Sequence, residues 1–115
     1  MKARLPQGYG KQNVNDLMKQ AQQMQEQMQE KQAELEEAEY TVKAAGGMVE
    51  VVMRGDYQVN AVHLQPDAVD PDDIEMLEDM MAAAFNEAVR TVKESGEQEM
   101  GKIAEAFPGL AGLPL

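Results

Sequence analysis

Residues 14 to 42 read VNDLMKQAQQMQEQMQEKQAELEEAEYTV, and the spacing of their apolar positions decides the fold. Val14, Leu17, Ala21, Met24, Met28, Lys31, Leu35, Ala38 and Val42 fall alternately three and four apart, and only Lys31 breaks the apolar series. That interval draws a narrow stripe down one side of a helix and suits packing on another helix at a shallow angle. The other sides carry Gln20, Gln22, Gln23, Gln25, Glu26, Gln27, Gln29 and Glu30. A helix so polar on three sides cannot lie inside a globule. At about 1.5 Å per residue it reaches roughly 35 Å, so a rod projects from the body and its stripe needs a partner.

The helix is expected to begin near Asn13 or Asn15, either a suitable N-cap, and to run to about Glu39. Three short β-prone runs follow: Tyr40 to Ala44, Met48 to Arg54, and Gln58 to Leu64. Val49, Val51 and Met53 alternate onto one face of the second run. Gly46-Gly47 and Gly55-Asp56 separate the runs, as hairpin loops require. These residues predict an antiparallel meander with two open edges, which proteins pair or cover. Asp70 then reads as the N-cap of a second long helix with Pro71 at its first position. Its buried face is predicted to be Ile74, Leu77, Met81, Ala84, Phe85, Ala88 and Val92, with a weakening near Ser95-Gly96. The fold class is therefore α+β: long helix, three-stranded antiparallel meander, long helix. Residues 1–12 read as a flexible arm, 13–104 as one α-β-β-β-α domain, and 105–115 as a disordered Gly/Pro/Leu tail.

The chain has 115 residues, ten Met, no Cys and no Trp. Disulfide and thiolate chemistry are excluded. A core built on Met, Ala and Val is thin and adaptable, and the unpartnered stripe predicts a second subunit. No stretch has the length of a signal-peptide core or a membrane span, so a cytoplasmic location without membrane association is expected. Formal net charge is −11. Its distribution is uneven. Lys2, Arg4, Lys11 and Lys19 face Asp16 alone in the first twenty residues, whereas Asp67, Asp70, Asp72, Asp73, Glu75, Glu78 and Asp79 lie together with no basic residue among them.

No catalytic or cofactor constellation is apparent. Counted from Asp70, the acidic cluster puts Glu75 where a calcium loop needs Gly and Met81 where it needs Glu, so helix capping is its reading and no metal is expected. His63 and Ser95 are the only residues of their types and lack an acid, an elbow or an oxyanion turn. Gly8-Tyr9-Gly10-Lys11 lacks the spacing of a phosphate-cradling loop. The expectation is a binding protein with no enzymatic activity, no cofactor and no small-molecule substrate.

The run Leu17-Met18-Lys19-Gln20-Ala21-Gln22-Gln23-Met24 resembles the YbaB/EbfC family of bacterial nucleoid-associated proteins. So do Met76-Leu77-Glu78-Asp79 with Ala82-Ala83-Ala84-Phe85-Asn86-Glu87-Ala88, the hairpin residues Gly47-Met48-Val49-Glu50-Val51 and Gly55, and the tail after Phe107. The resemblance extends from about residue 13 onward; the first twelve residues depart from it. It implies a homodimer whose long helices protrude in pairs, largely sequence-tolerant binding of double-stranded DNA, and a role in nucleoid organisation and gene expression.

On charge, the candidate DNA-binding residues are Lys2, Arg4, Lys11, Lys19 and Lys31, with Arg90, Lys93 and Lys102 near the end of the second helix next in line. A dimer presents the basic end twice, as a two-pronged grip on phosphate. The alternative is a chaperone or adaptor dimer whose Met-rich stripe takes amphipathic helices of a protein partner.

Overall fold

A computed structural model describes residues 9–110, with side chains from Val14 onward. The helix α1 spans Tyr9–Glu37, the strands are β1 Glu39–Ala44, β2 Val49–Arg54 and β3 Val59–Leu64, and the helix α2 spans Ile74–Glu105. The strands pair antiparallel in the order β1-β2-β3. This is the helix–meander–helix architecture expected from the sequence. The chain measures 87 × 25 × 16 Å with a radius of gyration of 23.0 Å. A compact chain of this length would have a radius near 13 Å. The excess length lies in the helices.

The main core lies between the sheet and the first half of α2. Val49, Val51 and Met53 alternate inward from β2 and pack with Val42 of β1 against Ala84, Ala88 and Val92. Small alanines let α2 approach the sheet closely. The opposite face is polar: Lys43 pairs with Glu50, and Asn60 Nδ2 donates to Glu39 Oε1 at 2.8 Å. Asn60 is the extra residue of a bulge, since Val52 faces Ala61 while Met53 faces Val59. α2 lies over β1 and β2 and leaves β3 uncovered. Val59 and Leu64, on the inner side, stay 45% and 38% exposed.

Several boundaries differ from expectation. α1 is helical from Tyr9, four residues before Asn13, so residues 9–12 extend the rod instead of forming an arm. Residues 1–8 of the expected arm lie outside the described residues. α1 also ends two residues early, because Ala38 turns the chain into β1 and its carbonyl accepts from Gly55 N at 2.9 Å. α2 starts later than Pro71. Asp73 is its N-cap, the side chain accepting from Met76 N, while Asp70 Oδ1 closes a preceding turn onto Asp72 N. An aspartate three residues before the donating amide satisfies that orphan donor directly, which Asp70 does not. α2 also passes through Ser95-Gly96 without a break. A mid-helix glycine costs only about 1 kcal/mol relative to alanine, and packing on both sides of it outweighs that.

The tail also differs. Phe107 and Leu110 are buried, and Pro108–Leu110 forms a single tight turn after α2. They pack with Ile103 and Met24 into a second cluster separate from the sheet core. An apolar pair three residues apart, held together by a Pro-Gly turn, can seat on a helix face, and this outweighs the disorder suggested by composition. Residues 111–115 lie outside the described residues.

Phe85 is half-buried against the sheet core, not fully enclosed. Phe85→Ala should therefore cost about 1–3 kcal/mol, below the roughly 3–5 of a fully buried ring. Urea denaturation at one fixed protein concentration measures it. A loss above about 4 kcal/mol would mean that a second chain completes the ring's burial.

Candidate nucleic-acid interface

α1 stands away from the body as its polar sides require. Among its described side chains only Met24 is buried. Contacts with the second half of α2 run in opposite order along the two helices, so the pair is antiparallel. Leu35 shares a groove with Gly96 and Met100, Met24 meets Ile103, and Gly109 comes beside Gln20 and Leu17. The apolar stripe is thus split. Its Met24-to-Leu35 portion is partnered within the chain, where a second subunit had been expected. Farther out, Val14 and Leu17 remain 54% and 40% exposed, with Met18 on the adjoining surface.

The eight basic candidates occupy different environments. Lys2 and Arg4 lie outside the described residues. Lys11 belongs to the first turn and a half of α1, at the outer end of the rod. Lys19 is exposed near that end, between the amides of Asn15, Gln22 and Gln25, and forms no ion pair among the described residues. Lys31 contacts Glu34 at 3.1 Å and Glu99 of α2 at 3.9 Å, and the Glu34 hydrogen bond raises its pKa. Lys102 bonds the same Glu99 at 3.0 Å. Arg90 is hydrogen-bonded to Glu87, which likewise raises its pKa. Lys93 is exposed and has no ion pair among the described residues, beside a groove of about 310 Å³ that Tyr57 and Glu97 also line.

Glu99 therefore links the two helices. Its carboxyl is held below its ordinary range, first by the Lys102 hydrogen bond. A depressed carboxylate stabilises above its unfolded pKa and loses that effect as pH falls through its folded one, so Glu99 stays charged toward Lys102 and Lys31 at neutral pH.

The acidic cluster is remote from this end. Asp67 to Asp79 sit at and before the start of α2, while the α1 tip extends past its end. α2 is 32 residues long, about 48 Å. That is several times the ~8 Å screening length at physiological salt, so the charge of this acidic cluster bears weakly on the tip. Among the described residues no group of three or more potential metal ligands exists, and no helix is long and apolar enough to cross a membrane. His63 is exposed on the sheet's polar face, whereas Ser95 is engaged at 2.9 Å by the Tyr40 hydroxyl, so these two are not brought together.

The sequence reading missed two features here. One is the Phe107–Leu110 hook, whose signal was the Phe-x-x-Leu spacing around Pro-Gly. The other is the amide-rich surface beside Lys19, whose signal was the glutamine run itself.

Comparison with known proteins accords with this geometry. A nucleoid-associated protein of Agathobacter rectalis is 53% identical over 97 residues, covering 84% of this chain and 86% of its own. One from Clostridium novyi is 49% identical, covering 88% and 90%. An uncharacterized protein of Helicobacter pylori, known from a crystal structure, shares the fold with a TM-score of 0.55 at 19% identity over 68% of this chain and 90% of that one. The family model for YbaB/EbfC DNA-binding proteins matches residues 10–107, from the first turn of α1 to the hook. With the match spanning both long helices and the three-stranded sheet, the chain belongs to the YbaB/EbfC DNA-binding family.

Proposed function

We propose that a homodimer of this chain binds double-stranded DNA through the outer ends of its two α1 helices, with little sequence preference, as a component of the bacterial nucleoid. The observation that carries this is the tip itself. Lys19 is an exposed cation without an ion pair among the described residues, on a rod that holds it far from the acidic start of α2. Flanking amides can donate to phosphate and sugar oxygens, which positions a duplex without reading its bases. Membership of a DNA-binding family supports the same partner.

Dimerisation draws on the opposite end. The open β3 edge carries exposed Val59 and Leu64, and the chain that follows it exposes Val69, Ile74 and Met76. A bare strand edge beside apolar side chains is a surface that proteins pair. A second copy placed there leaves both α1 tips free. The dimer carries twice the −11 of one chain, so binding relies on local contacts at the tips.

The test is fluorescence anisotropy on unrelated labelled duplexes across a salt series, with sedimentation equilibrium alongside. The expected result is a mass twice 12.7 kDa and similar affinities on all duplexes. Kd should lie at roughly 10⁻⁴–10⁻⁶ M and weaken steeply with salt. The adaptor reading draws on exposed Val14, Leu17 and Met18 at the same tip. It requires a protein partner retained at high salt and no duplex binding at low salt, the result that would replace the DNA reading.

A further inference from the structure

α1 is fastened to α2 by very little. One buried residue of α1, Met24, meets one buried residue of α2, Ile103. The rest of that cluster is Phe107 and Leu110, which come from beyond the helix end. The chain reaches them by folding back on itself: Phe107 N donates to Ala104 O at 3.2 Å, and Leu110 N donates to Phe107 O at 3.0 Å. Gly109 lies so near α1 that a Cβ there would come 3.2 Å from Gln20 Oε1 and 3.9 Å from Leu17 Cδ2. The hook therefore holds α1 at two levels, at Met24 and one to two turns farther out. Without it, α1 would be held only from Met24, on Ile103, and from half-buried Met28 and Leu35 inward, aided by the half-buried Lys31–Glu99 pair.

We propose that Phe107 and Leu110 are positioning residues for DNA binding: they fix the direction of the α1 tip and thereby the separation of the two tips in the dimer. This rests on the DNA reading above. Neither residue needs to touch DNA. A tip held in one direction meets phosphate without paying to be ordered, whereas a swinging tip pays that cost at each binding event. Two tips at a set spacing also engage one duplex together, and the second contact then becomes intramolecular.

The chain has no cysteine, so Gln23→Cys, outside the amides that flank Lys19, creates a unique labelling position on the exposed tip. Spin labels there report the tip-to-tip distance in the dimer. Three forms are compared in that background: otherwise wild type, Phe107→Ser with Leu110→Ser, and the conservative Phe107→Leu with Leu110→Met. The double serine form should stay dimeric, broaden the distance distribution, and weaken duplex binding about tenfold, the size of a lost preorganisation near 1.4 kcal/mol. Its salt slope should fall toward half, since that slope counts phosphates neutralised at once. The conservative form should recover all three. If the double serine form loses its dimer, Leu110→Ala alone is the deciding variant, with the same readouts expected in smaller degree. An unchanged distance distribution, or a broadened one with wild-type affinity and slope, overturns the role of the hook while leaving the DNA reading intact. Absence of duplex binding by the parent form overturns the DNA reading and this role with it.

Discussion

Gly55→Ala should destabilise the fold more than any other single-methyl addition among the described glycines. A Cβ at this position would stand 1.5 Å from the carbonyl oxygen of Leu35 and 2.5 Å from its carbonyl carbon. Both are backbone atoms, so no side chain can swing aside. The approach is close because the β2–β3 turn docks on the end of α1, with Gly55 N donating to Ala38 O at 2.9 Å. The turn is tied down elsewhere as well, by Arg54 N donating to Gln58 O at 2.8 Å and by the Arg54–Asp56 ion pair. Relief requires either α1 or the hairpin to move by more than an ångström, which overpacking data put at about 3 kcal/mol or more. Thermal and urea denaturation measure the loss. A control is available in Gly96→Ala, where the added methyl meets nothing within 4 Å and helix propensity favours alanine by about 1 kcal/mol. The two substitutions should therefore shift stability in opposite directions. A Gly55→Ala protein as stable as wild type would show that the hairpin does not seat on α1 as described.

The second large effect concerns binding. Reversing Arg4, Lys11 and Lys19 together to Glu should abolish duplex binding at all but the lowest salt while the dimer stays folded. The substitution changes local charge by six units per chain, or about twelve at the two tips together, where phosphate approaches most closely. Lys19 is exposed and none of the three belongs to the stripe that packs on α2, so the cores should be untouched. Neutralising Glu78 and Asp79 to amides should strengthen binding only slightly, because the start of α2 lies many screening lengths away. Anisotropy at two salt concentrations separates the variants, with circular dichroism and sedimentation confirming the fold. If the triple reversal binds as wild type does, the grip lies elsewhere. Lys93 is then the first residue to examine, being exposed and without an ion pair among the described residues.

Much of this protein follows from local pattern alone. Residues 14–42 specify a rod through a three-four spacing that only a helix turns into a stripe. The three strands follow from period-two alternation between glycine-bearing turns, and each was placed within one residue of its observed bounds. The α+β class, the segregation of basic from acidic ends and the family likeness were all legible in the chain. Each depends on residues near one another in sequence.

Only the tertiary structure decided which surfaces meet. The stripe of α1 is partnered by the chain's own α2 over its inner part and left bare over its outer part. That division is set by where α2 ends, not by the stripe. Sequence charge treats Lys19, Lys31 and Lys102 alike, but folding places Glu99 between Lys31 and Lys102 and leaves Lys19 unpaired among the described residues. Composition marked Phe107 to Leu110 as tail, whereas the arrival of Met24 and Ile103 turns it into core. Helix start, strand alternation and charge segregation come from interactions a few residues long. The hook, the Glu99 clasp and the tight seat of Gly55 join residues far apart in the chain, and no periodicity encodes where such residues come together.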